Sequence, residues 1–298
     1  MSRLRADLCL LLTAIIWGGA FIAQKTGMNG LGPFGFTGTR FVLSFLVVLP
    51  FALKEARSAK ALTRQDWIQS IILCTVFFIG VVMQQVGMMT TTVTNAGFLT
   101  GLYVVMVPFV AMFMFRRRPH WITAPACLMA FAGTWLLGGG SLSAFRYGDW
   151  LMLVCAVCFA VQVPLIGLMV QRTGRPLTFA VMQYAACAVA GLAVAVACEG
   201  ITIASLHANL IQICYAGLIS GGIAYTLQAV AQQHTPPSDA AVILSGESFF
   251  AAMFGILLLG EHLTPLGWGG CALILAAMLL VETGVFLPAI FNRFRTSP

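Results

Sequence analysis

The sequence predicts an all-α membrane protein of ten transmembrane helices, built as two inverted-topology five-helix repeats with both chain ends in the cytoplasm. Three observations predict it: ten apolar stretches of spanning length, a lopsided distribution of basic residues, and a weak internal repeat. Of the 298 residues 60% are hydrophobic and 8% charged, and the mean hydropathy is +0.95. A soluble domain carries roughly 25% charged residues. A chain this apolar could not cover its surface with polar groups, whereas a bilayer solvates the outer helix faces with lipid.

The apolar stretches are cut by charges, prolines and polar clusters. They run 8–24, 34–53, 67–89, 93–115, 121–137, 150–170, 177–198, 209–231, 240–259 and 265–287. Each is near the ~20 residues that cross the hydrocarbon. Lipid offers no partner to open backbone groups, so the stretches are helices. Arg3 and Arg5 ahead of an apolar run mimic a secretory signal, but no persuasive small-residue cleavage site follows, and the segment reads as a retained first span. Pro164 is expected to break the sixth span, and Pro236-Pro237 ahead of Asp239 to cap the ninth. Gly97-x-x-x-Gly101 and Gly217-x-x-x-Gly221 read as close-packing helix surfaces. Trp67, Trp121, Trp150 and Trp268 near span ends read as interface anchors.

Charge sets the orientation. With the N-terminus inside, the inner segments hold Arg3, Arg5, Lys54, Arg57, Lys60, Arg64, Arg116, Arg117, Arg118, Arg172, Arg175, Arg293 and Arg295. The outer loops hold Lys25 and Arg146, and Arg40 lies within the second span. That asymmetry is the positive-inside pattern. The net charge of +7 is therefore spread over short loops, with no basic stripe for nucleic acid to follow.

The halves, 1–145 and 146–298, repeat. A shift of 144 residues carries Gln84 onto Gln228 and Thr94-Asn95-Ala96 onto Ser238-Asp239-Ala240. A shift of 142 carries Trp17-Gly18 onto Phe159-Ala160. Five spans per half is an odd number, so the second copy enters from the opposite side, the arrangement behind alternating access in many secondary transporters.

Trp17-Gly18-Gly19, Arg40-Phe41, and Phe249-Phe250-Ala251-Ala252 leading to Leu257-Leu258-Leu259-Gly260-Glu261-His262-Leu263-Thr264 resemble the drug/metabolite transporter superfamily, EamA type. Within it the chain is most similar to the YddG-type exporters of aromatic and other amino acids. The resemblance implies a ten-helix bundle, a central cavity between the halves, and export of small organic solutes. One departure stands out: Glu247-Ser248 replaces the family's Glu-Pro, which puts that kink in doubt, while Pro108 is a candidate kink in the first half.

Candidate site residues are the polar and aromatic groups inside spans. Glu247, about 12 Å deep, reads as a partner for a substrate ammonium, as a proton carrier, or as a protonated structural group. Arg40 reads as a clamp on a substrate carboxylate, or as a structural or snorkelling side chain. Trp17, Tyr103, Tyr225, Gln84, Gln162 and Gln228 offer flat apolar walls and hydrogen-bond groups for an aromatic amino acid, against a plain reading of interhelical packing. Trp17, Tyr103 and Glu247 are expected to approach one cavity near the midplane, with Tyr225 and Gln162 nearby.

No nucleophile–base constellation stands out, since His120, His207, His234 and His262 fall at or beyond span ends. The nine cysteines, including Cys155-x-x-Cys158, read as packing residues without disulfide or metal. No Gly-x-x-x-x-Gly-Lys-Ser/Thr loop is present. The expectation is a cofactor-free, non-enzymatic secondary exporter of small metabolites, amino acids foremost, in the inner membrane. Its partners are that small-molecule substrate and the lipid bilayer. The alternatives are an exporter of other small solutes or drugs, a channel, or a non-transporting assembly protein.

Overall fold

The computed structural model describes residues 1–58, 61–116, 121–137, 146–260 and 262–295, with the backbone alone for 58, 137 and 281–295. Lys60, Arg117, Arg118, His120 and Glu261 lie outside the described residues, as do the side chains of Arg293 and Arg295. Among the described residues every regular element is helical.

The first three helices are α1 (Arg3–Thr26), α2 (Pro33–Ser58) and α3 (Arg64–Gly87). A broken rod follows, α4 (Val93–Gly101) and α5 (Tyr103–Phe115), then α6 (Thr123–Leu137), α7 (Tyr147–Thr173) and α8 (Pro176–Cys198). After the short α9 (Ile203–Ala208) one rod joins α10 (Leu210–Cys214), a π-helical segment (Tyr215–Tyr225) and α11 (Thr226–Ala231). A second broken rod, α12 (Pro237–Leu244) with α13 (Gly246–Leu259), precedes α14 (Pro265–Arg295). Eight of these runs are long and apolar enough to cross a membrane, and Thr123–Leu136 and Pro265–Leu280 are shorter apolar helices.

Polar caps extend the helices beyond their apolar stretches. Ser2 accepts from Arg5 N ahead of α1, Thr63 and Asp66 form a reciprocal capping box on α3, and Thr92 caps α4. Pro176 and Pro237 open α8 and α12, where a missing N–H costs nothing. The sixth span departs from expectation, because α7 runs unbroken through Pro164. That proline is buried, and Gln232 Nε2 donates 2.9 Å to the neighbouring Val163 carbonyl, so packed neighbours hold the helix together.

The principal pairings are α2 along α8, α3 along α7, α6 along α14 and α1 along α13. Glycine sets the α2–α8 approach: a Cβ on Gly38 would lie 2.7 Å from Leu192 N, and one on Gly191 would lie 2.9 Å from Gly38 Cα. The other glycine pairs are contact surfaces too. Gly97 faces Ala251 of α13, and Gly217 faces the Arg40 carbonyl of α2.

Polar contacts tie the helix ends into two sets. In one, Thr235 donates 2.6 Å to Asp7, Arg3 bridges Asp7 and Asp239 at 2.8 Å each, and Arg172 pairs with Asp66. Glu55, at the end of α2, accepts from Leu177 N at 3.1 Å and Thr178 N at 2.7 Å, capping α8. In the other set, Thr91 donates 2.5 Å to Asp149, and Lys25 donates 2.7 Å to the Met88 and Thr91 carbonyls. There Glu199, at the end of α8, accepts from Phe34 N at 3.1 Å and Gly35 N at 2.8 Å, capping α2. Glu55 and Glu199 each meet a helix N-terminus, where the dipole and the free N–H groups favour a carboxylate. Trp67, Trp121, Trp150 and Trp268 are exposed.

Candidate functional site

Both broken rods break in mid-span, and each break carries a polar residue. Leu102 N bonds the Leu99 carbonyl at 3.4 Å, and Val105 N bonds Leu102 O at 3.3 Å, so the chain tightens into a turn there. Tyr103 is the first residue beyond it. The first-half break thus lies ahead of Pro108, not at it. In the second half, Ser248 N bonds Ser245 O at 3.1 Å, and Ser245 Oγ bonds the Val242 carbonyl at 2.7 Å. This break forms without the family's proline, at Ser245-Gly246, and Glu247 stands in the first turn of α13. A helix N-terminus there favours a negative group. The two breaks touch: Ser248 Oγ donates 2.6 Å to the Gly97 carbonyl of α4.

The π-helical segment supplies the next wall. Three of its carbonyls receive side-chain donors from neighbouring helices. Ser44 Oγ reaches Gly217 O at 2.7 Å, Trp17 Nε1 reaches Ser220 O at 3.4 Å, and Thr13 Oγ1 reaches Ala224 O at 3.2 Å. Gly217, Gly221 and Gly222 free the inner face for this close approach, and Tyr225 ends the segment beside Trp17 with ring centroids 4.5 Å apart. Phe77 meets Tyr225 edge-on at 4.9 Å and braces it from behind.

Trp17, Tyr103, Tyr225, Gln84, Gln162, Gln228 and Glu247 all line one internal cavity. The cavity volume is about 20 Å³. That is room for about one water, so an organic solute fits only where the walls part.

Arg40, read from the sequence as a clamp or a structural side chain, lines the cavity too, and sequence reasoning missed Phe21, Gln24, Phe159 and Ser220. Phe159 carried a signal, since the 142-residue shift lays Trp17 on it. Three shifted pairs thus line the cavity: Trp17 with Phe159, Gln84 with Gln228, and Tyr103 with Glu247.

Arg40 corrects the snorkelling reading. It is 2% exposed, lines the cavity, and lies 4.9 Å from the Phe41 ring centroid and 5.7 Å from Phe36. The phase of α2 turns it inward, toward the π-helical segment.

The amides divide by their bonding. Gln228 donates to Gln162 at 3.3 Å and Gln162 donates to Gln183 at 3.1 Å, a relay that fixes the Gln162 amide. Gln84 donates 3.4 Å to Thr100. Other polar atoms on the cavity wall have no partner among the described residues: Tyr103 OH, Gln24 Oε1, Gln228 Oε1, and Arg40 Nε and Nη2. Buried polar groups are nearly always hydrogen-bonded, so this concentration marks a surface built to be completed by a polar solute or water.

The sequence profile of the EamA-like transporter family matches residues 4–139 and 146–283. An uncharacterized transporter of Archaeoglobus fulgidus is 33% identical over 288 residues, covering 96% of this chain and 88% of that protein. A second uncharacterized transporter of that organism is 28% identical over 167 residues, 54% of this chain and 57% of the other. A solved structure titled only as the crystal structure of a protein superposes with a TM-score of 0.76, covering 99% of this chain and 100% of the other at 16% identity, a likeness of fold.

Proposed function

The chain belongs to the EamA-like transporter family and is a multi-pass membrane protein; from that premise we propose that it is a secondary exporter of amino acids, aromatic and other neutral ones, working by alternating access. The observation that carries this reading is the closed cavity in which Glu247 shares the walls with Trp17, Tyr103, Phe159 and Tyr225. The carboxylate offers a partner for a substrate ammonium, and the rings offer flat apolar walls for a side chain. The YddG-type assignment made from the sequence belongs to this proposal.

The reading includes ten spans in two inverted repeats, divided near residue 146, in an inner membrane. Several observations support it. The family profile matches the chain twice in succession. Glu55 and Glu199 stand 144 residues apart and cap opposite helix starts. Thr91 and Thr235 also stand 144 apart, and their acceptors Asp149 and Asp7 stand 142 apart. Two copies in opposite orientation would produce this reciprocity.

The test is counterflow in proteoliposomes. Labelled tryptophan or threonine should exchange against a saturable panel of unlabelled amino acids. A linear, non-saturating flux would favour a channel, and no flux of any amino acid would remove the substrate assignment. For topology, cysteine probes at the exposed Arg57 and Arg172 should be shielded from an impermeant reagent outside intact cells. A probe at Arg146 should react.

A further inference from the structure

We propose that Arg40 is the carboxylate anchor of the cavity and Glu247 its ammonium counterpart, held apart so that the site selects zwitterions with both ends free. This rests on the amino-acid reading above and sharpens it from a solute class to the chemistry that is recognised.

Four observations carry it. Among the described residues Arg40 is buried to 2% exposure with Nε and Nη2 unpartnered, and Glu247 is buried to 4% exposure and joins no ion pair. Both line the same cavity. They do not pair with each other: the ion pairs among the described residues join Arg3 to Asp7 and Asp239, and Arg172 to Asp66. Finally, the backbone at Arg40 is fixed. Ser44 Oγ bonds both the Arg40 carbonyl at 3.1 Å and the Gly217 carbonyl at 2.7 Å, and a Cβ on Gly217 would lie 2.6 Å from Arg40 O.

A buried guanidinium and a buried carboxyl group that face one cavity without pairing are costly on their own. Contact with the Phe36 and Phe41 rings eases the guanidinium charge but leaves its N–H donors unused. A guanidinium matches a carboxylate with two parallel hydrogen bonds, and a carboxylate matches an ammonium. An α-amino acid head group brings both partners at once.

Net charge reinforces the choice. The Arg40–Glu247 pair is neutral together, and so is a zwitterion, so the loaded cavity is neutral in its closed form. An amine without a carboxylate would leave Arg40 unpaired, and an acid without an amine would leave Glu247 unpaired. The 144-residue counterpart of Arg40 is Tyr184, whose hydroxyl pairs with Thr226 at 3.0 Å. The cation thus breaks the repeat and gives the cavity a polarity that two identical halves would lack.

The experiment is competition against labelled tryptophan counterflow in proteoliposomes, using tryptophan, tryptophanamide, tryptamine and indole-3-propionate. Wild type should prefer tryptophan over each analogue by at least about tenfold, the scale of hydrogen bonds to charged groups. Arg40→Gln should weaken tryptophan by about tenfold or more and bring it level with tryptophanamide. Arg40→Lys should keep part of the discrimination. Glu247→Gln should narrow the gap between tryptophan and indole-3-propionate instead. Equal competition by tryptophan and tryptophanamide in wild type, or undiminished discrimination in Arg40→Gln, overturns the inference and leaves the amino-acid reading standing. Should Arg40→Gln not fold, the wild-type panel and Arg40→Lys decide alone. If wild type exchanges no amino acid, the substrate reading falls and takes the inference with it.

Discussion

The Thr91 hydroxyl donates a 2.5 Å hydrogen bond to Asp149, and the chain repeats that contact between Thr235 and Asp7 at 2.6 Å among the other set of helix ends. Each contact ties a loop after one helix to the first turns of another, α3 to α7 in one case and α11 to α1 in the other. Both contacts are made in this structure. On the proposed alternating-access reading they are the two closures, of which one releases while the other stays.

Removing a single closure should therefore bias the protein toward one side. A hydrogen bond to a charged group contributes about 1.5–3 kcal/mol, enough to move a two-state population roughly tenfold or more. Ala20 lines the cavity, and a cysteine there, with native cysteines replaced, reports access. Thr91→Val is expected to speed its labelling from outside, and Thr235→Val from inside. Identical rates from the two sides in both variants would show that these contacts are not gates.

The reciprocal glutamates make a stability prediction. Glu199→Ala and Glu55→Ala each strip two backbone N–H groups of their carboxylate acceptor. Loss of a helix cap costs about 1 kcal/mol. Both variants should melt a few degrees lower in detergent, and by similar amounts. A large loss for one alone would mean the two caps are not equivalent.

The all-helical, multi-pass character of the chain was legible in the sequence because lipid imposes length and apolarity on every span, and eight of its helices are long and apolar enough to cross a membrane. The cavity was partly legible. Tyr103, Glu247 and Trp17 could be set at one depth by counting residues, and the shift that links Gln84 to Gln228 placed those too. Azimuth was not legible. Arg40 at its depth could face headgroups or interior, and only the phase of α2 against Gly217 decides that. The break at Ser245 was hidden for a different reason: it forms from serine and glycine bonding where the family motif would lead one to look for proline. Pro164 misled in the converse way, because α7 is continuous through it with packed neighbours around it.

Glu247→Gln tests the charge at the second break. The amide keeps the shape and loses the ion. Affinity for amino acids should fall about tenfold, since an ammonium–carboxylate contact becomes a neutral one. Protonation of wild-type Glu247 removes the same partner, so wild-type affinity should weaken as pH is lowered, and the variant should lose that dependence. A variant that keeps both the affinity and the pH profile of wild type would assign Glu247 a structural role.

Trp17 tests whether the rings choose the side chain. Its indole N–H is spent on the Ser220 carbonyl at 3.4 Å, and its face packs against Tyr225 at 4.5 Å. The ring is thus oriented by the protein, and an aromatic substrate would meet it ready-placed. Trp17→Ala removes an aromatic contact worth about 0.5–1.5 kcal/mol beyond the area it buries. It also frees the Tyr225 ring to turn, which loosens the wall for every substrate. Affinity for tryptophan should drop about tenfold, and affinity for threonine should change less, because a small polar side chain has little to stack. Competition curves of the two amino acids on wild type and variant measure the difference. A parallel loss for both would mean that Trp17 shapes the closed cavity without selecting what it holds.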